Sequence, residues 1–386
     1  MSLQMEPSAD IPTATRRVAE AAFPKGNLDV KMRDEPGTFY TDSDFKELFP
    51  TRGQPAFSPW RLALVTIMQF VEGLSERQAA AAVRARIDWK YALRLALTEP
   101  GFDFSILSEF RHRLVRKGQE AKLLDQMLAC FREQQLLKAG GRQSTDSTHI
   151  LAKVRHLSRL ESVVETLRAA LNNIAEEFPE WLKEQITPRW YELDARRSEE
   201  YRLPKGEPGR AEYLNEVGQH GFRLLKAIES SGKVKLEGLK SVKLLQQMWE
   251  QQLEVKNKKV IFIPAEKLAP VGERFDSPYD EEAKYGKKRA TSWRGYKVHC
   301  TESCGQERPH FITNVITTDA YLPATAVNFQ LHQELKAKDL LPIIHLVDAG
   351  YPENDWVWER QQEGIQVVGP ARPNYHWQAK ANQGFA

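Results

Sequence analysis

The sequence predicts an α/β domain that is preceded by an all-α N-terminal domain and interrupted by a helical insertion. Three patterns support this organisation. Apolar residues recur at helical spacing over residues 39–138 and again over residues 157–278, whereas short apolar strands alternate with helices after residue 279. Such an alternation is typical of a sheet that is at least partly parallel.

Composition limits the class of protein. The chain has 386 residues, of which 41% are hydrophobic and 28% are charged, as in soluble globular proteins of two or three domains. No apolar run is long enough to span a bilayer, and the N-terminus has no signal-peptide core. Cys130, Cys300 and Cys304 are too few for a disulfide framework, which predicts a cytoplasmic protein. The Cys300–Cys304 pair is weak evidence for zinc because no second pair accompanies it.

The N-terminal third divides into two parts. Residues 1–38 combine prolines, glycines and mixed charge with little periodicity, which predicts a loosely ordered arm. Residues 39–138 contain five helical segments, and the fourth, FSILSEFRHRLVRKG, is rich in arginine. Short helices with one arginine-rich member are typical of small DNA-binding domains. An ordinary bundle with charged outer faces fits the periodicity equally well.

The α/β domain is predicted from residues 139–156 and 279–386. Its first strand lies in GRQSTDSTHILAKV, after which residues 157–278 form the helical insertion and linker, with a long helix over Leu236–Lys256. The remaining elements follow in order: the strands SWRGYKVHCTE and PHFITNVITTDA as an antiparallel pair, the helix AVNFQLHQELKAK, the strand IIHLVD, the helix PENDWVWERQQEG and the strand IQVVGP.

Two aspartates stand out in these strands. Asp348 ends an apolar strand, and Asp146 lies within a strand between hydroxyl residues. Ligands gather at the carboxyl ends of strands in α/β sheets, and two adjacent carboxylates repel each other unless a cation separates them. Magnesium prefers such oxygens, and a two-metal site suits phosphoryl chemistry. Aspartate is also a common turn residue, so either side chain could simply begin a turn.

A basic strip runs through residues 283–299. It contains Lys284, Lys287, Lys288, Arg289, Arg294 and Lys297 without an acid, and Tyr285, Trp293 and Tyr296 lie among them. Such a strip can follow a phosphate backbone and offer rings for base stacking. A solvated surface hairpin explains the pattern equally well. His149 and His299 lie near the candidate strands, and we interpret both as structural histidines.

Other catalytic classes lack their motifs. The sequence contains no P-loop, no G-x-S-x-G elbow, no H-E-x-x-H and no G-x-G-x-x-G between a strand and a helix. Nucleotide, serine-hydrolase, zinc-protease and dinucleotide chemistry are therefore not indicated.

Several segments, in order, resemble bacterial insertion-sequence transposases of the DDE type. Residues 40–95 and 103–115 resemble their helical N-terminal domain, TDSTHI resembles the first catalytic strand, and residues 277–304 resemble the second-strand region. HLVDAGY resembles the strand that carries the second catalytic aspartate. The resemblance covers nearly the whole chain.

The resemblance implies an RNase H-like catalytic domain that cleaves phosphodiesters and transfers strands at the ends of an insertion sequence. By this resemblance, Asp146 and Asp348 are catalytic residues that bind Mg²⁺ or Mn²⁺. The implied partners are element-end and target DNA and a second copy of the chain, in a nucleoid-associated bacterial protein. From the basic strip we select as DNA-binding residues Lys287, Lys288, Arg289, Lys297 and, for stacking, Trp293 or Tyr296.

The sequence departs from the family pattern at the third catalytic carboxylate. The family places a glutamate on a helix beyond the strand that corresponds to IQVVGP, whereas Glu353, Glu359 and Glu363 all precede that strand. We therefore assign no third carboxylate and expect a truncated copy. Two alternatives stay open: a catalytically inactive DNA-binding remnant, and a metal-dependent nuclease unrelated to transposition.

Overall fold

A computed structural model describes residues 2–3, 10–34, 39–152, 158–190, 203–288, 291–305 and 309–370. The chain forms two compact units. The first contains Met1–Gln143, Glu302–Thr313 and Glu334–Ile344, and the second contains Ser144–Thr301, Asn314–Gln333 and His345–Ala386. The predicted combination of an α/β sheet with helical regions is confirmed. Within the described ranges, no helix is both long and apolar enough to cross a membrane.

The first unit is mainly helical. Pro59 begins one helix, where its missing N–H costs nothing, and Ser75 caps another through reciprocal hydrogen bonds with Gln78. Apolar faces of these helices enclose a core that includes Phe45, Trp89 and Phe110. The helices are α1 (Thr13–Ala22), α2 (Leu28–Asp34), α3 (Pro59–Val71), α4 (Glu76–Ala85), α5 (Ile87–Ala92), α6 (Ser105–Arg116) and α7 (Lys122–Glu133), with a 3₁₀ helix at Asp42–Leu48.

The prediction of a loosely ordered arm over residues 1–38 is wrong where this segment is described. It contains α1 and α2, and both pack against α5. Ile11 and Ala19 form a small core with Tyr91, and the Thr15 hydroxyl donates to the Leu95 carbonyl at 2.8 Å. The apolar stripe of α1 is too short to show clear periodicity, and its partner helix lies far along the chain.

Helices and one hairpin form a separate core in the second unit. The helices are α8 (Arg159–Glu177), α9 (Pro179–Gln185), α10 (Glu207–Ser231), α11 (Val234–Glu237) and α12 (Lys240–Gln252), followed by the strands β2 (Leu253–Lys256) and β3 (Lys259–Phe262). The predicted helix over Leu236–Lys256 is therefore wrong at both ends. Asn257 and Lys258 both have positive φ, and this two-residue turn favours a hairpin over a continued helix.

The sheet has six strands in a mixed arrangement. They are β1 (Arg142–Leu151), β4 (Lys284–Lys288), β5 (Thr291–Ser303), β6 (Ile312–Asp319), β7 (Ile344–Val347) and β8 (Gln366–Val368). The order is β4-β5-β1-β7-β8. The strand β6 also pairs with β5, and this pairing was predicted from the sequence. The predicted helices are α13 (Asn328–Ala337) and α14 (Asn354–Gln362). This order makes β1 and β7 direct neighbours.

Candidate active site

Asp146 and Asp348 are positioned by neighbouring strands. Asp146 belongs to β1, and Asp348 directly follows β7, which is next to β1 in the sheet. Side chains alternate along each strand, so that Thr145 and Val347 are buried whereas both aspartates are exposed. The structure therefore holds both predicted residues at exposed positions, one on β1 and one directly after the adjacent β7.

Each carboxylate is only locally hydrogen-bonded. Asp146 Oδ1 accepts from the Ser147 backbone N–H at 2.6 Å, and Asp348 Oδ1 accepts from the Ala349 N–H at 2.7 Å. Across the described part of the chain, neither carboxylate forms a salt bridge with lysine, arginine or histidine. Two exposed carboxylates without a basic partner form a donor set that fits a hard divalent cation.

Tyr351 is close enough to both aspartates for their charges to affect its hydroxyl. Its backbone N–H donates to the Asp348 carbonyl at 3.0 Å and closes the turn that follows β7. Its buried hydroxyl lies 2.7 Å from His299 Nδ1 and also bonds the Ser147 side chain. Burial raises the pKa of Tyr351 most strongly, the Ser147 bond opposes the rise, and the charges of Asp146 and Asp348 add to it. Both carboxylates therefore act on the same buried hydroxyl.

His299 is a buried structural residue on β5, in line with the sequence interpretation. Its Nε2 lies 3.2 Å from Thr318 Oγ1, so both ring nitrogens have partners. Burial lowers its pKa to about 4, and the charge of Lys297 adds to this effect, while Asp146 opposes it. His299 is therefore neutral at pH 7.

A second buried polar group lies beside Asp146, and sequence analysis did not identify it. His345 of β7 bonds Thr145 Oγ1 through Nε2 and His332 through Nδ1, both at 2.7 Å. Burial lowers the pKa of His345 to about 3 and that of His332 to about 4. The sequence contained two signals for this group. His345 lies at an inward-facing position in the alternation of the strand IIHLVD, and Thr145 directly precedes Asp146.

The predicted stacking role of Trp293 is wrong. Its side chain is 2% exposed, and its Nε1–H donates to the Tyr296 carbonyl at 3.0 Å. Trp293 faces Gly286 across the β4–β5 hairpin, where a Cβ would lie only 2.6 Å from the ring. The missing side chain at Gly286 lets the indole pack there instead of facing solvent. Tyr296, the alternative, bonds Asp280 Oδ1 through its hydroxyl at 2.8 Å.

The predicted phosphate contacts separate into two groups. Lys287 and Lys288 are exposed on β4 and are available to bind an anion. Lys297 is half-buried and donates to the Leu322 carbonyl, so the structure does not support its predicted contact with phosphate. Burial lowers the pKa of Lys297, and the charge of Lys288 adds to this effect. Arg289 lies outside the described residues.

No further metal ligand joins the two aspartates in the described structure. Over those residues, no group of three or more His, Cys, Asp or Glu side chains could hold a metal ion. Glu359 and Glu363 form salt bridges with Arg360, at 3.4 and 2.8 Å. The candidate site therefore consists of Asp146 and Asp348 above a buried polar layer.

Comparison with known proteins gives a match to a protein family. A protein family described as transposase domain (DUF772) matches residues 19–113, which contain most of the helices of the first unit. No curated protein and no solved structure matches the chain. The match supports a relationship to transposases through the N-terminal helical region, and it does not extend into the second unit.

Proposed function

We propose that the chain is a DDE-type DNA transposase of an insertion sequence, with an RNase H-like domain formed by residues 139–156 and 279–386. The transposase-domain match at residues 19–113 supports the class of protein. The exposed positions of Asp146 on β1 and of Asp348 directly after the adjacent β7 carry the proposal for the catalytic type. The resemblance of both strand segments to that family agrees with this geometry.

The two aspartates would hold Mg²⁺ or Mn²⁺. A bound metal would stabilise negative charge on the phosphoryl group and lower the pKa of a coordinated water or hydroxyl. Asp146 and Asp348 are both exposed, so that a DNA strand and its metal ion could reach their oxygens. Phosphodiester displacement depends on alignment and charge stabilisation more than on a covalent protein intermediate. A two-carboxylate face is suited to that task.

DNA is the proposed partner. Lys287 and Lys288 extend an exposed positive surface on β4, and Lys288 is close enough to influence the pKa of both Lys297 and His299. Positive charge on this strand would favour the approach of a phosphate backbone. Because transposition joins two element ends, we propose that the chain acts as a homodimer on DNA.

Asparagine substitution at either aspartate tests the proposal. Asp146→Asn and Asp348→Asn keep side-chain shape but remove the charge that binds the cation. We expect Mn²⁺ affinity, measured by titration calorimetry, to fall at least about tenfold. Mg²⁺-dependent cleavage and strand transfer, measured on duplexes from the DNA that flanks the gene, should be lost. Asp355→Asn is the control, since Asp355 is an exposed aspartate of the same unit. Unchanged Mn²⁺ affinity in both site variants would overturn the proposal.

A second candidate function is a DNA-binding remnant without catalysis. It is favoured by the lack of any group of three candidate ligands among the described residues. Salt-sensitive DNA binding without Mg²⁺-dependent strand cleavage would support this alternative. Cleavage that depends on Asp146 and Asp348 would exclude it.

A further inference from the structure

Asp146 lies between two residues whose side chains point the opposite way. Thr145 and Ser147 precede and follow it on β1, and alternation directs both toward the buried side of the sheet. Thr145 is buried and Ser147 is half-buried, whereas Asp146 is exposed. The backbone of Asp146 is therefore held by the contacts of its two neighbours.

The first neighbour is linked to β7 and β5. Thr145 Oγ1 lies 2.7 Å from His345 Nε2 and 2.8 Å from Thr301 Oγ1. His345 is held in turn by His332, whose Nε2 lies 2.7 Å from His345 Nδ1. All four side chains are buried. A buried hydroxyl that serves two partners fixes the position of its strand against both neighbouring strands.

The second neighbour is linked to the turn after β7. Ser147 bonds the hydroxyl of Tyr351, which lies 2.7 Å from His299 Nδ1 on β5. The backbone of Tyr351 is also held, because Asn328 Nδ2 donates to its carbonyl at 2.9 Å. Tyr351 is fully buried, so that its hydroxyl has no water to replace these partners.

We propose that Thr145–His345 and Ser147–Tyr351 are two positioning links that set the separation of the Asp146 and Asp348 carboxylates. His345 lies three residues before Asp348, and Tyr351 lies three residues after it. The links therefore hold the aspartate pair from both sides. This inference rests on the proposed function, because it concerns how the same two carboxylates would bind a cation.

Register is the reason that polar links suit this task better than apolar packing. The strand β7 has only four residues, so its backbone ladder defines its position against β1 weakly. A slip of one residue would turn Asp348 to the buried side. The hydroxyl–imidazole and hydroxyl–phenol bonds form only in one register, whereas aliphatic side chains would tolerate a shift. Carboxylates held at one separation bind a cation with less ordering cost.

Variants that differ by one hydroxyl test the Ser147–Tyr351 link. Threonine and valine have the same shape, but only threonine keeps the hydroxyl. We expect Ser147→Thr to retain Mn²⁺ affinity within about twofold, and Ser147→Val and Tyr351→Phe to weaken it about tenfold, by titration calorimetry. Tyr91→Phe is the matched control, because Tyr91 is a buried tyrosine of the first unit whose hydroxyl bonds Asp34 at 2.9 Å.

Thermal unfolding midpoints of all four variants separate positioning from general destabilisation. Positioning predicts weaker Mn²⁺ binding in Tyr351→Phe than in Tyr91→Phe at a similar midpoint. If Ser147→Val and Tyr351→Phe bind Mn²⁺ as tightly as the parent while Asp146→Asn does not, the positioning role is wrong and the proposed function stands. If Asp146→Asn and Asp348→Asn also bind as tightly as the parent, the metal site itself is wrong.

Discussion

Two groups of buried polar side chains, one in each unit, find their hydrogen-bond partners in different ways. In the first unit, Thr66 and Arg61 donate to the backbone carbonyls of Leu62 and Leu93, at 2.8 and 2.9 Å. In the second unit, the buried side chains of Thr145, His345 and Tyr351 bond other side chains on neighbouring strands. A carbonyl is present whatever the residue, whereas a side-chain pair requires two specific residues. The group around Asp146 therefore depends on residue pairs that are far apart in the sequence, such as Thr145 and His345.

A change to mildly acidic pH should produce the largest difference in stability between the two units. Burial holds the pKa of His345 near 3 and the pKa values of His332 and His299 near 4, below the ordinary value of 6.5. The unfolded chain then takes up protons before the folded chain as the pH falls below about 6.5. The stability that these neutral histidines provide is complete above that pH and is lost toward pH 4. Between pH 7 and 5 the loss is about 2 kcal/mol per histidine.

The first unit should instead become more stable when the pH falls from 7 to 5. Burial, together with the charges of Asp88 and Glu72, raises the pKa of Asp29 to about 6. A carboxyl group with a raised folded-state pKa destabilises the fold when ionised, and protonation below pH 6 relieves this by about 1 kcal/mol at pH 5. Hydrogen exchange at both pH values, corrected for intrinsic rates, should show β7 less protected and α2 more protected at pH 5. Equal changes in the protection of β7 and α2 would contradict the expected difference between the two units. His345→Gln should reduce the pH response of β7, whereas the exposed His310→Gln should not.

Substitution of two buried threonines tests the same difference between side-chain and backbone partners without changing any charge. Thr145→Val removes a hydroxyl that serves both His345 and Thr301, and leaves a buried imidazole nitrogen without that partner. We expect a loss of about 1–3 kcal/mol in the free energy of unfolding of the second unit. Thr66→Val removes only a bond to the Leu62 carbonyl one helical turn away, and should cost less than about 1 kcal/mol in the first unit. Denaturant-dependent hydrogen exchange gives each value in its own unit, and equal costs would remove the distinction.

The same contrast decides what could be predicted from the sequence. The helix starts at Pro59 and Glu76 were predictable because their signals, Ser58-Pro59 and the Ser75 cap, are adjacent in the chain. Asp146 and Asp348 stood out because carboxylates are unusual in such strands, and the structure places them on adjacent strands. Their roles stay a prediction, as does the division of residues 39–386 into a DNA-binding domain, an insertion and a catalytic domain.

Features that depend on distant or opposing residues were not predictable. The burial of Trp293 follows from the absence of a side chain on Gly286 across the hairpin. The partnership of Thr145 with His345 joins residues 200 positions apart. Neither relation leaves a periodic pattern in one sequence, since periodicity reports only which face of a single element is buried.

The smallest expected effect concerns which region would bind DNA in the proposed function. On α6 of the first unit, Arg111 pairs with Glu76, and Arg113 pairs with Glu109, so acids already neutralise part of the predicted DNA-binding helix. Lys287 and Lys288 of the second unit are exposed, and no salt bridge engages them within the described structure. We expect Lys287→Gln with Lys288→Gln to lower the slope of log affinity against log salt by up to about 2, since each phosphate that a lysine neutralises adds about 0.9 to the slope.

A second hairpin provides the control for this measurement. Lys256 and Lys259 face each other across the β2–β3 hairpin and are exposed, so their double glutamine variant removes the same charge from a similar structure in the same unit. Fluorescence anisotropy of a labelled duplex at several salt concentrations gives both slopes. Direct binding of DNA by β4 lowers the slope only for the β4 variant, because net charge alone would act equally in the two hairpins. Equal slopes would instead assign the effect to the overall charge and return the DNA-binding role to the helices of the first unit.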